Sequence, residues 1–126
     1  MLKLLVVDDE VDICDFVRSF FKERNFEVFV AYNGKKAIET IEKEKPDIVL
    51  LDMNMPGMTG LEALRELRQQ GNQIKTIMVT AVDEPDKIEE AKKHGVVEYI
   101  TKPLLLEQLE RTVFTVAEQI RMDSAK

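Results

Sequence analysis

The chain has 126 residues, with 24 Asp and Glu against 18 Lys and Arg and a formal charge of −6, which gives room for one domain of ordinary size and not for two. With 44% hydrophobic and 33% charged residues it is a globular rather than a disordered sequence, and its acidic balance argues against direct nucleic-acid binding, which rests on Lys and Arg. No apolar stretch approaches the roughly 20 residues of a membrane span, and one cysteine with one histidine leaves neither an internal disulfide nor a Cys/His zinc site.

The apolar start at Met1 is too short for a secretory signal, because it runs straight into Asp8-Asp9-Glu10. Together with the lone thiol this points to the cytoplasm and to no membrane insertion. Short apolar runs then alternate with amphipathic segments five times. The runs cover residues 4–7, 28–30, 48–51, 77–79 and 96–100. Several are apolar on successive residues, as in strands buried on both faces of a parallel sheet.

After the first run, Ile13, Phe16, Val17, Phe20 and Phe21 form one helical stripe, with Cys14 beside it and read as inert. Asn25 suits the left-handed turn that ends a helix. Asn33-Gly34 after the second run has the composition of a hairpin turn. Residues 35–44 keep a helical period through Ala37, Ile38 and Ile41, however, so Asn33 is read as the N-cap of a helix that closes before Pro46. Met53, Met55 and Met58 after the third run are read as adaptable packing. Leu61, Leu64 and Leu67 mark a third helix, opened by Thr59 and Glu62 at capping-box spacing and stopped by Gly71. Asp83-Glu84-Pro85 opens a fourth, weakly anchored by Ile88 and Ala91, and Lys92-Lys93-His94-Gly95 closes it with cations at the negative end of the dipole. Leu106, Leu109, Val113, Val116 and Ile120 define the fifth. The domain is expected over residues 1–121, with 122–126 as a short polar tail. Strict alternation predicts an α/β fold, (βα)5, with a doubly wound five-stranded parallel sheet.

Ligands of such sheets bind beyond the carboxyl ends of the strands. The first strand ends in Asp8 and Asp9, the third in Asp52, the fourth in Thr80 and the fifth in Lys102-Pro103. Three carboxylates brought together repel, at about 4 kcal/mol per pair for a 4 Å separation and an effective dielectric near 20. A divalent cation offsets that, and an all-oxygen site suits Mg²⁺, with Mn²⁺ as a substitute, better than Zn²⁺ or Cu²⁺. An EF-hand spacing for Ca²⁺ is absent. An ammonium and a hydroxyl facing such a pocket make sense for an arriving phosphoryl group, and Asp52, alone at its strand end, is the candidate nucleophile.

The segments Val6-Val7-Asp8-Asp9-Glu10, Leu51-Asp52-Met53-Asn54-Met55-Pro56-Gly57-Met58-Thr59-Gly60, Val79-Thr80-Ala81 and Tyr99-Ile100-Thr101-Lys102-Pro103 resemble those of receiver domains of two-component response regulators, over about residues 2 to 120. The resemblance implies strand order 2-1-3-4-5, with Asp52 as phosphoacceptor. It also implies Mg²⁺ on Asp9, Asp52 and the Asn54 carbonyl with Asp8 acting through water. Lys102 pairs with the phosphoryl group beside a cis peptide to Pro103. Thr80 moves toward the phosphate with the Ala81 amide nearby, and Tyr99 turns inward. On the same resemblance the expected donor is a histidine kinase or histidine phosphotransfer protein, and an unidentified downstream protein is expected to read the surface of helix 4, strand 5 and helix 5. Val82, two residues after Thr80, offers no side chain to orient an attacking water. A stand-alone regulator, monomeric or weakly dimeric on phosphorylation, is expected to act on itself and turn over no external substrate. The rivals are a Mg²⁺-dependent phosphohydrolase with an aspartyl-phosphate intermediate and a phosphorylation-independent protein-binding module. A flavodoxin-type carrier is disfavoured because Asp8-Asp9-Glu10 repels FMN phosphate.

Overall fold

Short runs apolar on successive residues become strands and segments of period 3.6 become helices, in strict alternation. A computed structural model of the chain describes residues 1–81 and 85–125. Within them lie β1 (Leu2–Val7), α1 (Val11–Lys22), β2 (Phe26–Ala31), α2 (Gly34–Glu44), β3 (Ile48–Asp52), α3 (Gly60–Gln69), β4 (Lys75–Thr80), α4 (Pro85–Lys93), β5 (Glu98–Thr101) and α5 (Leu106–Ser124). All strand pairs are parallel and the order is β2-β1-β3-β4-β5. The direction of winding reverses between β1 and β3, which opens a crevice at their carboxyl ends.

Alternation along each strand sorts the core into two layers. Leu4, Val6, Ile48, Leu50, Ile77 and Val79 pack with Cys14, Val17 and Phe21 of α1 and with Leu109, Val113 and Ala117 of α5. Leu5, Val7, Val49, Leu51 and Met78 pack with the apolar faces of α2, α3 and α4. Helix ends follow their sequence signals. Asn33 Oδ1 accepts from Lys36 N–H at 2.8 Å. Thr59 Oγ1 accepts from Glu62 N–H at 3.1 Å, while Glu62 Oε1 accepts from Thr59 N–H at 2.9 Å. Asn25 takes φ 71°, and Gly71 and Gly95 take φ 81°.

The structure departs from expectation in several places. The buried arc of α1 is centred on Cys14, Val17 and Phe21, and Phe16, about a third of a turn from that centre, is 56% exposed. β5 begins at Glu98 rather than Val96, because Gly95 N–H bonds to Lys92 O at 3.0 Å and Val96 N–H to Ala91 O at 3.4 Å, closing the end of α4. α5 runs to Ser124, so residues 122–124 form its last turn. Val82 and the expected helix opening at Asp83-Glu84 lie outside the described residues.

The end of the sheet away from the crevice is tied by side chains in both layers. Away from the crevice, Phe21 meets Phe20 and Phe26 edge-on with centroids 5.0 and 5.5 Å apart. There Arg24 stacks 3.5 Å over the Phe20 ring and bonds to Glu110 of α5 at 2.7 Å. In the other layer, the Arg68 guanidinium of α3 donates to the carbonyls of His94 at 2.6 Å, Asn72 at 2.9 Å and Ile74 at 3.1 Å. Arg65 of α3 pairs with Glu90 of α4.

Candidate functional site

Four of the five strands deliver a residue at or just past their carboxyl ends to one edge of the sheet. Asp8 follows β1 directly, with its amide bonded to Ala31 O at 3.2 Å and its Oδ1 accepting from Glu10 N–H at 2.9 Å, which turns the chain into α1. Asp52 ends β3 and Thr80 ends β4, and both are buried. Lys102 follows β5, where its N–H bonds to Thr80 O at 2.8 Å and a cis peptide joins it to Pro103. α3 begins hard against this edge, since Gly60 N–H bonds to Met53 O at 3.0 Å. A Cβ on Gly60 would stand 2.1 Å from Asp52 O, so only glycine permits the approach.

Carboxylate oxygens of Asp8, Asp9 and Asp52 all lie within 4.8 Å of one another. Asp8 and Asp52 are 3% and 1% exposed, whereas Asp9 reaches solvent. Asp52 Oδ2 accepts from Lys102 Nζ at 3.2 Å, and its Oδ1 accepts from Asn54 N–H at 3.1 Å. Three carboxylates against one ammonium leave two charges unbalanced, in a donor set made only of hard oxygens. That chemistry fits a divalent cation of the Mg²⁺ kind. Burial, reinforced by the Asp52 and Asp9 charges, pushes the Asp8 carboxyl up to about 6 against the pull of the Glu10 amide and Lys102. Burial works against the Lys102 charge, but the Asp52, Asp8 and Glu10 carboxylates outweigh it and hold its pKa above the ordinary lysine value.

The structure thus gathers Asp8, Asp9, Asp52, the Asn54 backbone and Lys102. It arranges Thr80 and Tyr99 differently. The Thr80 hydroxyl has Met53 Sδ at 3.5 Å and the Ala81 carbonyl at 3.3 Å as acceptors. Tyr99 is 41% exposed, with Lys92 Nζ 5.1 Å from its ring centroid. Cys14 is buried, with its Sγ–H directed at Asp8 O at 3.3 Å and its thiol pushed by burial up to about 11, which makes it inert.

Two neighbours of the site were not singled out from sequence. Met53 counted only as packing, because a thioether gives no pattern signal. The helical period places Phe16 in the core stripe, yet with Ile13, Pro103, Leu104, Leu106 and Lys102 it lines a groove of about 370 Å³. Its signal was an apolar stripe on α1 wider than one buried face needs.

The family model for the response regulator receiver domain matches residues 4–114. Sporulation initiation phosphotransferase F of Bacillus subtilis is 36% identical over 111 residues, 88% of this chain and 90% of that protein. Chemotaxis protein CheY of Listeria monocytogenes is 39% identical over 116 residues, 88% of this chain and 98% of that protein. Among solved structures, chemotaxis protein CheY4 of Vibrio cholerae has a TM-score of 0.85 at 32% identity, with 92% of this chain and 98% of that one covered. The receiver domain of the Francisella response regulator 1452 has a TM-score of 0.87 at 30% identity, with 95% and 99% covered. The chain belongs to the response regulator receiver domain family, the phosphoacceptor module of two-component signalling.

Proposed function

We propose that Asp52 takes a phosphoryl group from a phosphohistidine on a histidine kinase or histidine phosphotransfer protein. A carboxylate oxygen of Asp52 attacks phosphorus, the P–N bond breaks, and the electron pair returns to the donor imidazole. Lys102 exchanges its bond with Asp52 Oδ2 for one with a phosphoryl oxygen and neutralises part of the arriving charge. Thr80 swings its hydroxyl to a second oxygen, and the Ala81 N–H serves beside it. Asp9, Asp52 and the Asn54 carbonyl would hold Mg²⁺ or Mn²⁺, with Asp8 acting through water. Bound there, the ion would supply positive charge that offsets the negative charge of the phosphoryl group. The domain acts on itself and has no external substrate to turn over.

The observation that carries this reading is the Lys102 Nζ–Asp52 Oδ2 pair at 3.2 Å beside three carboxylates within 4.8 Å. The donor docks in the groove beside the pocket, against Phe16, Pro103 and Leu104, where apolar surface borders the acceptor. Output runs through the face of α4, β5 and α5, with Tyr99 turning inward after Thr80 moves; a downstream protein reads that face. The protein works in the cytoplasm as a monomer or a weak phosphorylation-dependent dimer. No described helix is long and apolar enough to cross a membrane.

Intact mass after incubation with acetyl phosphate, with and without Mg²⁺, tests the acceptor. One phosphoryl group is gained only with Mg²⁺ and not in Asp52→Asn. A gain in Asp52→Asn, or none in the wild type, overturns the assignment.

A further inference from the structure

The phosphoacceptor and the mobile hydroxyl leave the sheet on opposite faces. Asp52 shares the alternation of Ile48 and Leu50, which pack against α1 and α5. Thr80 shares that of Met78, which packs in the layer of α2, α3 and α4. The residue after Asp52 is on the Thr80 side. Met53 is 1% exposed and belongs to that second layer, and its Sδ lies 3.5 Å from Thr80 Oγ1.

We infer that Met53 is a positioning residue: its thioether accepts the Thr80 hydroxyl in the unphosphorylated state and so sets how readily the switch is thrown. This rests on the receiver reading of Asp52 and Thr80 given above. A thioether is a weak acceptor and a phosphoryl oxygen a strong one, so the hydroxyl is held at rest and surrendered cheaply. The Ala81 carbonyl, 3.3 Å away, is a competing acceptor among the described residues, and it belongs to the segment beside the expected phosphoryl contact. Because Met53 is the direct chain neighbour of Asp52, the same strand end fixes the acceptor on one face and the hydroxyl's resting place on the other. Its flexible side chain lets the layer repack when the hydroxyl departs.

Met53→Leu roughly conserves volume and removes the acceptor, the kind of swap a core tolerates best. Without the thioether, the conformer with Thr80 turned toward Asp52 is more populated before any ligand binds, and a phosphoryl mimic pays less to select it. The probe is beryllium fluoride at saturating Mg²⁺, with the apparent Kd read by ¹⁹F NMR and folding checked by thermal melt. Met53→Leu is expected to tighten binding roughly threefold, the worth of one weak hydrogen bond. In a Thr80→Val background the same substitution is expected to change nothing, since no hydroxyl remains to be held. Met55→Leu, a second buried methionine in the same layer, serves as the packing control and is expected to leave the Kd unchanged.

A tightening that persists in Thr80→Val, an equal effect of Met55→Leu, or no effect of Met53→Leu overturns the role of Met53 while leaving the receiver reading intact. Failure of the wild type to bind the mimic at all overturns both.

Discussion

Lys102 Nζ stands 3.2 Å from Asp52 Oδ2, yet the two ends of this pair live in different media: the carboxylate is 1% exposed and the lysine side chain 34%. Burial works against the lysine as well, but the neighbouring carboxylates outweigh it. Removing Lys102 leaves the Asp52 carboxylate buried beside Asp8 and Asp9 with nothing to neutralise it. Lys102→Met is expected to lose about 1–2 kcal/mol in metal-free urea denaturation, a value discounted for the partly exposed lysine. In an Asp52→Asn background the loss should vanish. A loss of the same size in both backgrounds would mean that Lys102 acts through packing.

The Asp8 carboxyl, raised from an ordinary 3.8 to about 6, binds its proton more tightly in the folded chain than in the unfolded one. Its protonation stabilises the fold fully below the unfolded value, and that contribution is lost as pH rises through about 6. Metal-free protein should therefore lose stability between about pH 4 and pH 7, by up to about 3 kcal/mol from this group. Asp8→Asn should flatten the profile. Mg²⁺ needs the ionised form, so its affinity should climb across the same window. Urea midpoints in EDTA and Mg²⁺ titrations across that range check both signs.

Phe16 is 56% exposed at the rim of the groove. Phe16→Ala is expected to slow phosphoryl transfer from a phosphohistidine protein about tenfold, the scale of one interface anchor. Labelling by acetyl phosphate, which needs no docking surface, should change less than about twofold, and stability should hold because the ring is outside the core. Parallel rates with the two donors decide the matter; equal slowing with both would place Phe16 in the chemistry instead.

Gly60→Ala would bring a Cβ to 2.1 Å from Asp52 O and 2.8 Å from Met53 Cα. The obstacle is backbone, which cannot rotate away. A loss of about 3 kcal/mol is expected, along with slower acetyl phosphate labelling because the end of β3 must shift. Gly57→Ala is the contrast, since φ is +76° there but nothing lies within 4 Å. It should cost about 1 kcal/mol from backbone strain alone and leave labelling unchanged.

Much of this was legible in the sequence because the strand ends write the site in one dimension. Asp8 and Asp52 each sit one step past an apolar run and Lys102 two steps past, and a parallel sheet must bring such positions to a common edge. The caps at Asn33 and Thr59 were readable because a side-chain acceptor three residues ahead of an N–H is a local rule. What escaped depended on neighbours distant in sequence. Val96 reads as a strand residue until the end of α4 claims its amide. Phe16 reads as core until α1 is seen to turn Cys14 inward. Composition says nothing of the Tyr99 side chain standing outward on an edge strand, nor of Met53 meeting Thr80, because both follow from which face a strand end presents.

The Arg68 anchor gives α4 a fulcrum. Its guanidinium binds the carbonyls of His94, Asn72 and Ile74 together, so the C-terminal end of α4 is pinned to α3 and to the approach to β4. The tie between Arg65 and Glu90 farther along α4 is partly exposed and cheap to break. Nine residues make a lever roughly 13 Å long. A tilt of about 10° about His94 would carry the Pro85 end by about 2 Å while the pinned end stays put. Any displacement of α4 would therefore be greatest at the end nearest Thr80 in the chain and vanish at Arg68, a swing rather than a slide.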